Sequence, residues 1–141
     1  MKHRFAVLLT AVVVLFAFAG CSSSLPYSGL LSSLSGGVPG LSTDQLVASA
    51  GSLLGLAGEK MPAADFAKVA SAIPGSSDLV KEAGKLTGLG NTFGSLGNVT
   101  SALGKMGVTP DQVAKVGTSV ADFAGKAGGD AVKSSLSSLW K

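Results

Sequence analysis

Leu41-Ser-Thr-Asp-Gln-Leu-Val-Ala-Ser-Ala-Gly-Ser-Leu-Leu-Gly-Leu-Ala57 decides the fold class of this 141-residue chain. Leu46, Ala50, Leu53, Leu54 and Ala57 recur at i, i+4, i+7, i+8 and i+11, which is one face of a helix. Ser42 and Gln45 add a start signal. The hydroxyl meets a free backbone N–H of the first turn, and the glutamine reaches back to the residue before the helix.

Downstream the same period continues in shorter pieces. Pro62 opens a second helix with Phe66, Val69, Ala70 and Ile73 on one face, and Pro74-Gly75 stops it. Asp78–Leu86 reads as a third segment through Leu79, Val80, Ala83 and Leu86. The run from Gly88 to Gly97 interrupts the pattern, and it reads as a flexible connection or a closely packed helix. Helical spacing resumes at Val99, Leu103 and Met106. Thr109-Pro110-Asp111-Gln112 starts another capped helix, buried through Val113, Val116, Val120 and Phe123. Gly128-Gly129 breaks it, and Asp130 begins a last helix through Val132, Leu136 and Leu139. No stretch alternates as a strand does. The expectation is all-α: a small bundle of about five to six short helices, with two capped helical hairpins flanking a Gly-rich middle segment, over residues 41–141.

An internal echo runs through this region. Leu41-Ser-Thr-Asp-Gln45 and Val108-Thr-Pro-Asp-Gln112 align at an offset of 67, and Leu53, Leu56, Ala57 and Gly58 then fall against Val120, Phe123, Ala124 and Gly125. Duplication and two hairpins obeying the same capping rules both account for it.

Upstream, residues 22–40 are uncharged and rich in Ser, Gly and Pro, and they read as a mostly irregular tether. Leu25, Leu30, Leu31 and Leu34 are its apolar exceptions, placed either against lipid or packed on the domain as a short turn. Met1–Cys21 has the parts of a bacterial lipoprotein signal in order. Lys2, His3 and Arg4 form a positive start, and Phe5–Phe18 is apolar apart from Thr10. Ala19-Gly20-Cys21 then places small residues before a thiol. The apolar run is shorter than the roughly 20 residues that span a bilayer. Phe18 stands where an aliphatic residue is usual. Cleavage between Gly20 and Cys21 is expected, removing residues 1–20 and leaving Cys21 with an N-acyl and an S-diacylglycerol group. Ser22 replaces the Asp that commonly retains lipoproteins at the inner membrane, so the expected location is the outer membrane, facing the periplasm.

Removing the signal changes the composition. The formal net charge of +3 includes Lys2 and Arg4; without them nine basic residues face eight acidic ones. No basic stripe with interleaved aromatics remains, which argues against nucleic acid. Cys21 is the single cysteine, so no disulfide forms within the chain.

Side chains with chemistry are few. The only histidine, His3, falls in the signal, which removes the commonest general base and metal ligand from the mature chain. Ser77/Lys81 and Ser101/Lys105 have the spacing of a Ser–Lys dyad, as chance produces in a chain rich in both. Asp78 and Glu82 share a face, but the acids mostly precede lysines (Asp65/Lys68, Glu82/Lys85, Asp111/Lys115, Asp122/Lys126), as surface pairs do. Gly88, Gly90, Gly94 and Gly97 follow no strand and lack the Lys-Ser/Thr ending of a phosphate loop. Asn98-Val99-Thr100 has the form of a glycosylation sequon, which carries no weight in a bacterial lipoprotein. Gly51/Gly55 and Gly84/Gly88 have the small-xxx-small spacing that lets helices approach closely. Trp140 reads as a cap on the core, the alternative being contact with lipid headgroups. No catalytic, cofactor-binding or metal site is expected. The chain reads as a non-enzymatic envelope protein that meets the membrane through its anchor, with another envelope protein as candidate partner. The competing reading is a membrane-active or oligomerising protein using the Gly/Leu-rich segments.

Three segments together carry a family likeness: Gly51-Ser-Leu-Leu-Gly-Leu-Ala57, Asp65-Phe66 through Ala72-Ile-Pro-Gly75, and Leu103-Gly-Lys-Met-Gly-Val-Thr-Pro-Asp-Gln-Val113. Over about residues 41–140 the chain resembles the bacterial VcgC/VcgE-type domain of unknown function. The resemblance implies a small helical domain, often exported, in Proteobacteria. It supplies no activity and no catalytic residues to carry over, and Gly88–Gly97 is where divergence is expected.

Overall fold

A computed structural model describes residues 27–140. The signal, the cleavage site and Cys21 lie outside the described residues. Seven helices follow one another with no strand among the described residues: α1 (Ser28–Gly37), α2 (Thr43–Lys60), α3 (Ala63–Ala72), α4 (Ser76–Thr87), α5 (Leu96–Lys105), α6 (Pro110–Gly128) and α7 (Asp130–Leu139). The all-α reading holds, with seven helices in place of five to six.

The extra helix corrects the tether. Residues 28–37 are helical, and Tyr27, Leu30, Leu31, Leu34 and Val38 are buried in the common core. These positions form one helical stripe, with Ser and Gly on the outer face. Burying a Leu side chain contributes about 1.5–3 kcal/mol, more than the low helix propensity of Ser and Gly takes away. Residues 27–38 therefore belong to the folded domain. Burial first, then the negative charges of Glu82 and Asp78, push the Tyr27 phenol above its ordinary value.

Around α2 the other helices assemble. All residues from Leu46 to Ala57 are buried, so this helix is covered on every side and not on one face alone. Comparison with α6 at the offset of 67 shows why. Val113, Val116, Gly117, Val120, Ala121 and Ala124 are buried in α6, and they match Leu46, Ser49, Ala50, Leu53, Leu54 and Ala57. The second face differs. Gly51 and Gly55 of α2 lie beneath α4 and Phe93, whereas the matching Thr118 and Asp122 of α6 stay at the surface. A helix can dock closely on glycine; it cannot dock on a carboxylate without desolvating it.

The echo itself extends to three helices on each side. α1–α2–α3 and α5–α6–α7 follow the same order, and Gly40 and Gly107, one offset apart, both turn through the left-handed region at φ 88° and 87°. Packing between the units is reciprocal: α1 lies against α6 and α5 against α2. Between the units sits α4, which packs most extensively on α2.

Both capping boxes form. The Ser42 hydroxyl accepts from Gln45 N at 3.3 Å while Gln45 Oε1 accepts from Ser42 N at 2.8 Å. Thr109 and Gln112 repeat the pair at 3.2 and 3.0 Å. Gln45 does one thing more: its Nε2 donates to Met106 O, 2.9 Å away in the other unit. Gln45→Ala is therefore expected to cost more stability than Gln112→Ala, by the roughly 0.5–1.5 kcal/mol of one net hydrogen bond. Urea unfolding of the two variants measures the gap, and equal losses would show that the Met106 bond contributes nothing.

Surface pairing follows the expected spacing in part. Lys68–Asp65 and Lys85–Glu82 are ion pairs at 3.6 Å. Asp122 pairs across to Lys133 of α7 at 2.7 Å instead of to Lys126, because the turn at Gly128-Gly129 folds α7 back and lays the Lys133 stem against Gly125. That hydrogen bond, with the Asp122 charge, raises the Lys133 pKa. Trp140 does cap the core, its ring stacked on Gly117 close to Leu53. No described helix is long and apolar enough to cross a membrane.

Candidate functional site

Four pieces of chain meet around a cleft of about 350 Å³: the end of α2, the start of α3, the first turns of α4, and the loop between α4 and α5. Gly55, Gly58 and Glu59 come from α2, Phe66 from α3, Ser76, Ser77, Val80 and Lys81 from α4, and Asn91 from the loop. The cleft exists because α4 is present on α2 and has no counterpart on α6.

The Gly-rich loop is pinned rather than slack. Glu59 Oε1 and Oε2 accept from the backbone N–H of Phe93 and Gly94, each at 2.8 Å. Gly90 N donates to Gly84 O at 3.1 Å, and Gly84 is pressed so closely against Gly90 O that a Cβ has no room. This doubling back delivers Phe93, 1% exposed, onto Gly55. The spacing of Gly51 and Gly55 thus serves packing inside the protein. Gly51 faces Leu79 and Ala83, and Gly55 faces the Phe93 ring. Gly88 instead ends α4 in the left-handed conformation. Gly51, Gly55 and Gly84 are thus covered by α4, Phe93 and Gly90 of the same chain.

Electrostatically the cleft is mixed but uneven. The Glu59 carboxylate is already met by two donors. Lys81, exposed on α4, has no carboxylate partner among the described residues, unlike Lys68 and Lys85. Ser77 lies one turn before Lys81 on the same wall, yet no hydrogen bond joins them. Ser101 and Lys105 sit on the exposed side of α5, away from the cleft. Asp78 and Glu82 form no cluster able to hold a metal ion, and no such group occurs among the described residues. A groove of about 380 Å³ lies between α3 and the end of α6, but its lysine, Lys68, is already paired with Asp65.

Two buried polar atoms lack partners among the described residues, Ser52 Oγ and Trp140 Nε1. Phe93, Glu59 and Ser76 were not singled out by sequence spacing. The one available signal was Phe93 itself, a lone aromatic inside a run of glycines.

The architecture is that of a small helical scaffold with a polar-lipped cleft beside α4. Residues 19–139 match the family described as protein of unknown function VcgC/VcgE (DUF2780), and the chain belongs to that family. Neither a curated protein nor a solved structure matches this chain.

Proposed function

We propose that this protein is a lipid-anchored lipoprotein of the bacterial cell envelope, held at the outer membrane facing the periplasm, where it acts by binding and not by catalysis. The observation that carries the reading is the placement of Cys21. It ends a signal-like segment and stands six positions before Tyr27, the first buried residue among those described. Six Cα–Cα steps reach at most about 20 Å. An acylated Cys21 therefore keeps the domain at the bilayer surface, without the long stalk that a tether to residue 40 implies. A single acyl chain binds a membrane only marginally, whereas several give stable attachment. No apolar patch on the domain is then needed to stay there. The absence of histidine beyond His3 and the near balance of charge in the mature chain support a binding role over an enzymatic one.

Cys21→Ala is expected to abolish incorporation of labelled palmitate and to leave the precursor uncleaved or released from the membrane. Labelling that survives the substitution would refute the anchor. A second measurement addresses orientation: sucrose-gradient separation of envelope fractions should place the wild-type protein with the outer membrane. Recovery in the inner membrane alone would overturn that location.

A further inference from the structure

We propose that the seam between α1 and α6 rests on an anionic phospholipid surface, with Lys115 and Lys126 meeting lipid phosphates and the Phe123 ring between them at headgroup level. The inference rests on the anchored reading above: the acyl groups hold the domain at the bilayer, and the seam sets which way it faces.

Chain length limits the surface that can meet the lipid. Six Cα–Cα steps separate Cys21 from Tyr27 and reach at most about 20 Å, while α1, ten residues long, extends only about 15 Å. All of α1 therefore lies within reach of the bilayer. Its exposed residues Gly29, Ser32, Ser33, Ser35 and Gly36 carry no charge, and no charged residue occurs from 22 to 43. A charge pressed against lipid must shed water, a cost that these residues do not incur.

Beside α1, α6 supplies the cations and the ring. Lys115 and Ser119 line one groove with Gly37, and Ser119, Phe123 and Lys126 line the next with Ser33. Positions 115, 119, 123 and 126 follow i, i+4, i+8 and i+11, which is one stripe of the helix. Gly29 lies beside the Phe123 ring and Gly37 beside Ser119, so α1 puts no side chain over either. Phe123 is half-buried, whereas Leu56, its counterpart in the repeat, is fully buried.

The charge of the seam suits an anionic leaflet. Neither Lys115 nor Lys126 forms an ion pair among the described residues. Asp122 lines the second groove, but Lys133 holds its carboxylate at 2.7 Å. Asp111 stands one turn before Lys115, at the edge of the seam. Asp78 and Glu82, whose charges act on the Tyr27 phenol, share α4 with Lys81 and Lys85, so that helix offers no excess of positive charge. Lysine stems and aromatic rings both settle at a headgroup layer, apolar part inward and polar tip in water.

The test uses the full-length lipidated protein in phosphatidylcholine vesicles with and without phosphatidylglycerol. An environment-sensitive fluorophore is attached through Ser33→Cys on the seam or, as a reference, through Ser101→Cys on α5. Acylation blocks Cys21, so the new thiol alone takes the label. With phosphatidylglycerol present, the fluorophore at position 33 should shift to the blue and be quenched by spin-labelled lipid, and that at position 101 should do neither. Lys115→Gln and Lys126→Gln should each lower the ratio of docked to undocked protein about fivefold, whereas Lys105→Gln on α5 should leave it unchanged. All three lysines are exposed, so the variants keep the fold. Equal quenching at positions 33 and 101, quenching indifferent to phosphatidylglycerol, or equal effects of the three lysine variants would each overturn the proposal. Flotation with the vesicles reads the anchor separately. Protein that floats but fails these comparisons refutes the seam alone; protein that does not float refutes the anchor, and the seam with it.

Discussion

Phe93→Ala is expected to remove about 3–5 kcal/mol, a large share of the roughly 5–15 kcal/mol that holds a domain of this size together. Phe93 is among the largest fully buried side chains, and it comes from a loop rather than a helix. Its ring fills the space left by Gly55, and Glu59 holds its backbone in place through the Phe93 N–H. Truncation leaves a cavity that neither α2 nor α4 can close without losing contacts elsewhere. Urea unfolding followed by far-UV circular dichroism gives the cost, and a loss under about 1 kcal/mol would show that the ring is not a core element. Coupling provides a sharper check. Gly55→Ala puts a methyl group where the ring lies, so it should be harmful in the wild type and much less so beside Phe93→Ala. Simple additivity of the two losses would mean that the residues do not share the space.

Gly51→Ala is expected to destabilise the fold by about 1–3 kcal/mol, as overpacking does, even though alanine is the better helix former by about 1 kcal/mol. A Cβ at Gly51 runs into the Leu79 carbonyl oxygen and the Ala83 Cβ. The first is backbone and the second the shortest of side chains, so neither can rotate away, and α2 and α4 must separate. Gly104→Ala is the control. A Cβ there meets nothing within 4 Å on the exposed side of α5, so the same change should stabilise by up to about 1 kcal/mol. Opposite signs for one substitution at two helical glycines would separate helix propensity from close packing. Matching signs would dispose of the close-packing account of Gly51.

Much of the fold is legible in the chain because helix starts and stops are local. Ser42 with Gln45, Thr109 with Gln112, Pro62, Pro74-Gly75 and Gly128-Gly129 each act within a turn of their own position, and the helices begin and end beside them. Residues 28–37 look like a tether for the converse reason. Their Ser and Gly content favours an irregular chain, and only the core formed by distant residues gives Leu30, Leu31 and Leu34 something to be buried against. Tertiary packing outweighed propensity there.

Less of the candidate site was legible. Ser77 and Lys81 have the spacing of a dyad, which chance accounts for in this chain, and the structure places both on one wall of a cleft. Glu59 sits 34 residues from Phe93, and Asn91 is distant in sequence from Phe66, so their meeting leaves no local periodic trace.

By itself the sequence determined the all-α class, the capped starts of α2 and α6, the repeat between them, and the signal-like segment ending at Cys21. Each is written in residues that are neighbours along the chain or on one helix face. Only the tertiary structure decided that residues 27–38 belong to the folded domain, that α2 is buried on all sides, and that the Gly-rich loop carries a core residue. The structure also decided that α4 opens a cleft with no counterpart on α6. Those outcomes depend on which distant surfaces can approach closely: glycine at positions 51 and 55 admits α4 and Phe93, and threonine and aspartate at 118 and 122 do not.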